Sequence, residues 1–363
     1  MTIRRKLLNF GTRSTDLRFG CGAFSELSKM LAGAVGRPCR AFMVADADLP
    51  EDLVLNVRRS LIDAGYRVDE VALDGEAASS FATVGGLFVR LASFGLTAED
   101  LVVGVGSAPV CSISAYIARS WCGGCACALV PTTLDAMIMA PTQMVPLSVG
   151  VHDAGVSLAP EVGLVICDLD LVRAFDPQRH GLGYTLMCAA SLAESRKCWE
   201  SFESTVEGMV AGSEVSLMEA FTSAHTSRMN TVKSASPSAR RAFMYGDTTA
   251  RALAACLNDP SIPGYRLYAE GMRFEARLAV DVCEFPVDEM FALDDRLEDL
   301  GIEELEFSIE PETFVEAVRA ERFRRSNRFQ FALPKHPGII RLASVDDEVF
   351  ERHARAFLAS RHP

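Results

Sequence analysis

The apolar run Leu101–Val105 and the turn that follows it limit the folds open to this chain more than any other feature. Its short row of aliphatic residues is typical of a strand that is buried on both faces of a parallel sheet. Gly106 allows a tight turn after this strand, and Pro109 suits the first turn of a helix. A strand, a small-residue turn and a helix start offer backbone N–H groups to a phosphate, although many α/β proteins use the same turn only for packing.

The first half of the chain alternates strand-like and helix-like segments. We predict buried strands over Arg40–Ala45, Val68–Leu73 and Leu164–Cys167, with amphipathic helices among them. Short joins between such segments imply right-handed crossovers and a mostly parallel sheet. Ligands of these sheets bind beyond the carboxyl ends of the strands, so the residues found there should share one cleft: Asp46, Glu76, Gly106 and Thr132.

The second half is predicted to be mainly helical. Apolar residues at helical spacing cover residues 183–220 and several later segments, which are Asp247–Leu257, Tyr268–Val282, Asp288–Leu300, Pro311–Phe323 and Asp346–Leu358. Met139–Pro160 is predicted as a long loop, and the Ser- and Thr-rich segment Thr222–Pro237 as an exposed connection. We therefore expect two domains: residues 1–173 with an α/β fold and residues 174–363 with an all-α fold.

Charge and hydropathy exclude several classes of function. A net charge of −12 argues against general nucleic-acid binding. No apolar run reaches the ~20 residues of a membrane span, and the N-terminus does not have the pattern of a signal peptide. We therefore expect a cytoplasmic protein with reduced thiols that acts on neither nucleic acids nor membranes.

The chain has eleven cysteines, most of them within apolar runs, where cysteine behaves as a small hydrophobic residue. Cys122, Cys125 and Cys127 form a C-x-x-C-x-C pattern, which is one way to build a metal or redox site. No second cysteine pair accompanies it, and the next residues are strand-like. The favoured interpretation is therefore that these cysteines enter a core strand.

The stretch from Leu101 to Thr133 resembles the nucleotide-binding core of 3-dehydroquinate synthase and related sugar-phosphate cyclases. In that family a G-G-G-x-x-G-D turn is followed by a helix, a strand and a Pro-Thr-Thr triplet. The matching positions here are Gly106-Ser107-Ala108 for the glycines, Ser112 for the aspartate and Pro131-Thr132-Thr133 for the triplet. The similarity extends over almost the whole chain, through Gly75-Glu76, Asp168, Asp170 and Phe329–Pro334.

This resemblance implies a Rossmann-like N-terminal domain, a helical C-terminal domain, a cleft between them and a homodimer. It also implies residual binding of NAD⁺, with Asp46 and Glu76 accepting hydrogen bonds from ribose hydroxyls. Ser107 and Ala108 replace glycines that let a pyrophosphate approach the backbone. The predicted cofactor-binding residues are therefore Asp46, Glu76, Gly106, Ser107, Ala108, Thr132 and Thr133.

In the family, NAD⁺ oxidises a hydroxyl of a phosphorylated sugar acid while a divalent metal polarises the sugar oxygens. One glutamate and two histidines hold that metal, and lysines neutralise the phosphate and the carboxylate. Here the three ligand positions carry Tyr184, Asp247 and Gly264, so no metal site is expected. The family's lysines and its loop acid are replaced as well, at Ser79, Met139, Val145 and Met187. Arg322 falls near a phosphate-binding lysine of the relatives, and a plain surface role is the alternative.

Two functions remain open. In the first, the chain is a catalytically impaired relative that binds a nucleotide, a sugar phosphate or a protein partner. In the second, it is an active NAD-dependent cyclase, lyase or polyol dehydrogenase with a rebuilt site, for which Asp247 and His180 are candidate ligands. The loss of all three metal ligands together with the lysines favours the first, because a hydroxyl gives up its proton readily only beside a metal ion.

Overall fold

The computed structural model describes residues 3–150, 152–236 and 239–362. It divides into two compact units, Met1–Ala174 and Phe175–Pro363. None of the helices in the described ranges has both the length and the apolar character that a membrane span requires.

The N-terminal unit is built on a seven-stranded sheet with the order β1-β2-β9-β6-β5-β3-β4. All neighbours in it run parallel except the antiparallel pair β1–β2, so the predicted parallel sheet is confirmed. A separate hairpin joins β7 to β8. The strands are β1 (Arg4–Asn9), β2 (Ser14–Gly20), β3 (Arg40–Asp46), β4 (Arg67–Leu73), β5 (Leu101–Gly106), β6 (Ala126–Pro131), β7 (Leu147–Val149), β8 (His152–Val156) and β9 (Leu164–Asp168).

Helices of this unit pack on the sheet, and every residue of the interior strand β5 is buried. A Cβ at Gly104 in this strand would lie 2.7 Å from Ser114 and 2.9 Å from Leu129, so the missing side chain lets the next helix approach closely. The helices are α1 (Leu27–Ala32), α2 (Glu51–Asp63), α3 (Gly75–Ala78), α4 (Phe81–Phe94), α5 (Ala108–Ser120) and α6 (Leu134–Met139).

The C-terminal unit is helical and is centred on an aromatic cluster. Phe274 contacts Phe314, Phe350 and Phe357 with ring centroids 5.2–5.8 Å apart. The helices are α7 (Pro177–Glu194), α8 (Arg196–Val210), α9 (Glu214–Lys233), α10 (Asp247–Leu257), α11 (Gly264–Cys283), α12 (Val287–Asp299), α13 (Pro311–Arg325) and α14 (Asp347–Arg361). Two strands also lie here, β10 (Gln330–His336) and β11 (Ile339–Ser344), which the all-α prediction did not include.

The prediction that Thr222–Pro237 is an exposed connection is wrong. Helix α9 continues to Lys233, while Pro237 lies outside the described residues. The hydroxyl of Thr222 donates to the carbonyl of Met218 at 2.7 Å, and that of Thr226 donates to the carbonyl of Thr222 at 2.8 Å. Hydroxyl groups that are satisfied one turn back are compatible with a helix, and the helix also buries an apolar face.

The prediction of a long loop over Met139–Pro160 is also wrong in part. The segment starts inside α6 and contains the β7–β8 hairpin. These strands have only three and five residues, which is too short for an alternation of apolar and polar residues to be recognised in the sequence.

Candidate functional site

Three of the predicted cofactor-binding positions lie together at the carboxyl edge of the sheet. Asp46 and Gly106 are the last residues of the neighbouring strands β3 and β5. Thr132 follows β6, and its backbone N–H donates to the carbonyl of Gly106 at 3.0 Å. Glu76 is exposed in the first turn of α3, and Thr133 precedes α6. The structure thus places Asp46, Gly106 and Thr132 at strand ends, where ligands of parallel sheets bind.

The carboxylate of Asp46 already occupies the start of α5. Ser107, which precedes this helix, donates to Asp46 Oδ2 through its hydroxyl and also through its backbone N–H, the latter at 3.3 Å. The backbone of Gly106 has φ +138°, and a Cβ there would lie 2.5 Å from the Cβ of Asp46. An incoming phosphate would therefore have to displace a negatively charged side chain from the positive end of the helix.

Pro109 further reduces the number of donors at this helix start. It lies in the first turn of α5, and a proline has no backbone N–H. With the Ser107 N–H directed to Asp46, the first turn retains the N–H groups of Ala108 and of the buried Val110. Pro109 is visible in the sequence, but the partner of Ser107 is not, since Asp46 lies 61 positions earlier.

Ser112, at the position of the family's aspartate, has a structural role. Its hydroxyl donates to the carbonyl of Ala108 at 2.6 Å and accepts a hydrogen bond from the backbone N–H of Val145 at 2.8 Å. It therefore ties the segment after α6 to α5. Sequence reasoning identified Ser112 as a lost acid but did not predict this contact.

In the C-terminal unit, Tyr184, where the resemblance puts the first metal ligand, belongs to the core. It is 2% exposed, its ring stacks on Phe175 with centroids 5.1 Å apart, and its hydroxyl accepts from the N–H of Asp176 at 3.4 Å. Burial raises the pKa of the phenol, so it stays protonated near neutral pH. A buried neutral phenol is a poor substitute for a carboxylate ligand.

Asp247, at the second ligand position, is already paired with two arginines. Its Oδ1 accepts from Arg251 Nε at 3.1 Å, and its Oδ2 accepts from Arg325 Nη1 at 2.7 Å. Gly264, at the third position, is the exposed first residue of α11 and offers no side-chain donor. Two cations beside Asp247 oppose the approach of a third, so this donor set does not fit a divalent metal.

The alternative ligand pair is not supported by this geometry either. His180 lies beside the ring of Tyr184, with centroids 6.2 Å apart, and burial lowers its pKa. Within the described ranges, no group of three histidine, cysteine or acidic side chains is arranged to hold a metal ion.

The last part of the cysteine pattern enters a strand, as the core interpretation predicts. Cys127 lies buried in β6, and the thiol of Cys125 donates to the carbonyl of Ala118 at 3.5 Å. Burial raises the pKa of Cys125 to about 12, so its metal-binding thiolate form is disfavoured. Cys122 is exposed and has φ 51°.

Glu275 is an unpredicted acid beside Asp247. It is 0% exposed, and its two oxygens accept from the N–H of Gly246 at 2.7 Å and from the hydroxyl of Thr249 at 2.8 Å. Burial raises its pKa to about 8, although these hydrogen bonds oppose the shift. The sequence could have drawn attention to this residue, because it is an acid within a helix whose neighbouring residues are mostly buried.

Glu275→Gln is expected to change the pH dependence of stability. The pKa of Glu275 rises from 4.5 to about 8 on folding, so folding takes up a proton between these values. The free energy of unfolding should therefore fall as pH rises towards 8, by on the order of a few kcal/mol. Urea unfolding at pH 5 and pH 9 should show that the variant gains stability relative to the parent at the higher pH. The control variant Glu298→Gln changes an exposed residue and should not gain stability relative to the parent at pH 9. An equal difference at both pH values would contradict the assignment.

Comparison with known proteins places this geometry in context. No protein-family model matches the chain. A 3-dehydroquinate synthase from Thermobifida fusca is 33% identical over 178 residues, 47% of this chain and 46% of that protein. Another from Pelotomaculum thermopropionicum is 25% identical over 286 residues, 75% of this chain and 74% of that protein. The chain thus matches about half the length of the first relative and about three quarters of the second.

The fold is also similar to that of a solved protein. A solved 2-deoxy-scyllo-inosose synthase, in complex with carbaglucose-6-phosphate, NAD⁺ and Co²⁺, superposes with a TM-score of 0.83 at 17% identity. The match covers 97% of this chain and 99% of that one. The predicted order of an α/β domain followed by a helical domain is thereby confirmed. The predicted resemblance to 3-dehydroquinate synthase and related sugar-phosphate cyclases is thereby confirmed, in sequence by the two relatives and in fold by the solved structure.

Proposed function

We propose that this protein is a family member that binds a nucleotide but does not carry out metal-dependent cyclisation. One observation carries the proposal: the residues at the family's metal-ligand positions are engaged elsewhere or absent. Tyr184 is stacked in the core, Asp247 is neutralised by two arginines, and Gly264 has no side chain. A chain with these groups has no means of lowering the pKa of a sugar hydroxyl through a metal.

The nucleotide part of the proposal is supported by the carboxyl edge of the sheet. Asp46, Gly106 and Thr132 lie on adjacent strand ends, and Glu76 is exposed to solvent. A solved protein of the same fold is complexed with NAD⁺. For a pyrophosphate to bind here, Asp46 must release the N–H of Ser107, after which its carboxylate is available to a ribose hydroxyl. We therefore expect weaker binding than a glycine-rich turn would give.

Saturating NAD⁺ is expected to raise the melting temperature by a few degrees, because a ligand that binds only the folded state stabilises it. Glu76→Ala should remove this rise if the exposed carboxylate holds a ribose. The exposed control Glu99→Ala removes the same charge elsewhere in the unit and should keep the rise. Differential scanning calorimetry measures all three proteins. An unchanged melting curve for the parent at millimolar NAD⁺ would contradict nucleotide binding.

The assembly state and the biological partner follow from the resemblance alone. We propose a homodimer whose other ligand is a phosphorylated small molecule. Analytical ultracentrifugation of the full chain would measure the assembly state.

A further inference from the structure

The turn between α5 and β6 carries two cysteines that nucleotide binding does not use. It reads Trp121-Cys122-Gly123-Gly124-Cys125, and the backbone N–H of Gly124 donates to the carbonyl of Trp121 at 2.8 Å. The φ angles of the two central residues are positive, 51° at Cys122 and 79° at Gly123, as in a type I′ turn. The chain therefore bends sharply between the two cysteines, and we call this segment the Cys122–Cys125 turn.

Cys122 has a backbone conformation that is unfavourable for its residue type. Three non-glycine residues in the described ranges have positive φ, and the other two, Asn258 and Glu284, each cap the end of a helix. Glycine, asparagine and aspartate are the usual residues at the first central position of a type I′ turn. A cysteine at this position is strained, and strain of this kind concentrates at sites where the side chain has a function.

Both sides of the turn are anchored, and its thiols lie at or near the surface. Trp121 donates from Nε1 to the carbonyl of Leu96, which follows α4, at 2.9 Å. The backbone N–H of Cys125 donates to the carbonyl of Ala118 in α5 at 2.9 Å. Cys122 is exposed and Cys125 is partly exposed. A small oxidant in solution can therefore reach Cys122, while Cys125 stays beside it.

This geometry makes Cys122 the partner of Cys125. Burial and, after it, the charge of Cys122 raise the pKa of Cys125 to about 12, so the two sulfur atoms are near each other. Cys127 is a poorer partner, because residues two apart in an extended chain are separated by about 6.6 Å, whereas the Cβ atoms of a disulfide lie ~3.5–4.5 Å apart. No atom lies within 4 Å of a Cβ built at Gly123, so the turn has space to adjust when a ring closes.

We propose that Cys122 and Cys125 form a reversible disulfide, which makes the Cys122–Cys125 turn a redox-sensitive modification site. The oxidant is a small disulfide such as glutathione disulfide. The thiolate of Cys122 attacks one sulfur of the oxidant, forms a mixed disulfide and releases one glutathione. Cys125 then gives its proton to solvent and attacks the sulfur of Cys122, which releases the second glutathione.

This exchange balances in electrons and protons. The two protein thiols lose two electrons and two protons, and one glutathione disulfide takes up both and becomes two thiols. The second step is the slower one, because the high pKa of Cys125 keeps its thiol protonated near neutral pH.

Oxidation of the reduced full chain with glutathione disulfide, followed by alkylation of the remaining thiols, proteolysis and mass spectrometry, tests this proposal. In the parent, Cys122 and Cys125 should be linked to each other without bound glutathione, and dithiothreitol should restore both thiols. In Cys125→Ser the linkage should be lost and Cys122 should retain glutathione, because no second thiol displaces it. Cys39→Ser is the matched control, since it removes another exposed cysteine, and its linkage should form as in the parent.

Two results in the parent would overturn the inference: free thiols at both positions, or glutathione that stays on Cys122 although Cys125 is present. Cys122→Gly covers the case in which a serine variant does not fold, because glycine suits a positive φ. This variant should fold and form no linkage. A Cys125 that still becomes linked in it would show that its partner is another cysteine, which also contradicts the assignment.

Discussion

Gly271→Ala is expected to destabilise the C-terminal unit by about 3 kcal/mol or more, the upper range for an overpacked core. A Cβ at Gly271 would lie 2.1 Å from the carbonyl oxygen of Gly246 and 3.0 Å from the backbone N of Ala250. Both are main-chain atoms of the α10 start, so relief requires moving α10 away from α11. That movement would also break the hydrogen bond from the Gly246 N–H to Glu275.

Gly264→Ala is the matched control on the same helix. Nothing lies within 4 Å of a Cβ built at Gly264, and alanine favours a helix over glycine by about 1 kcal/mol. Its free energy of unfolding should therefore change little or rise. Urea denaturation followed by circular dichroism compares the two variants. Equal stability would show that α10 and α11 do not pack as closely as described.

This contrast separates the packing role of the motif residues in the resemblance from their proposed role in binding a metal. The motifs that carry histidines in the relatives retain Gly246 and Gly271-Met272 here. A Cβ at Gly246 would lie 2.8 Å from the side chain of Met272, and the hydroxyl of Tyr245 donates to the Met272 carbonyl at 2.9 Å. The residues that pack α10 against α11 are thus those of the motifs, while Asp247 and Gly264 stand where the resemblance puts histidines.

The second large effect concerns turnover of the family's seven-carbon sugar-acid phosphate, which we expect to be undetectable. Loss of one electrostatic contributor commonly lowers a rate by ~10²–10³, and here other residue types stand where the resemblance puts three metal ligands and several lysines. Restoring the ligands through Tyr184→Glu, Asp247→His and Gly264→His should not rescue activity. Arg251 and Arg325 would remain beside residue 247 and repel the metal.

The sequence was sufficient for those parts of the fold that follow from local patterns. The run of β5 is recognisable because it is short and continuously apolar, and α10 is recognisable because its apolar residues recur at helical spacing. The antiparallel pair β1–β2 was missed, since four of the six residues in β1 are exposed and charged or polar side chains dominate it. Residues 222–233 of α9 were missed because their hydroxyl side chains resemble those of a loop.

For the candidate site, the sequence indicated only which residues stand where the resemblance puts the family's motif residues. Comparison with the family's motifs identified Tyr184, Asp247 and Gly264. It did not predict the residues that contact them. Arg325 is 78 positions from Asp247, and Asp46 is 61 positions from Ser107. Such contacts depend on how helices and strands pack, and no local spacing in the sequence encodes them.

Phosphate release from the seven-carbon sugar-acid phosphate tests the central claim most directly. The parent protein is incubated with the substrate, saturating NAD⁺ and Zn²⁺ or Co²⁺, and free phosphate and transient NADH are followed together. A metal-replete 3-dehydroquinate synthase serves as the positive control. We predict release no faster than in the absence of protein and no NADH signal. Phosphate release coupled to transient NADH would contradict the account, because it would require a working metal site in this chain.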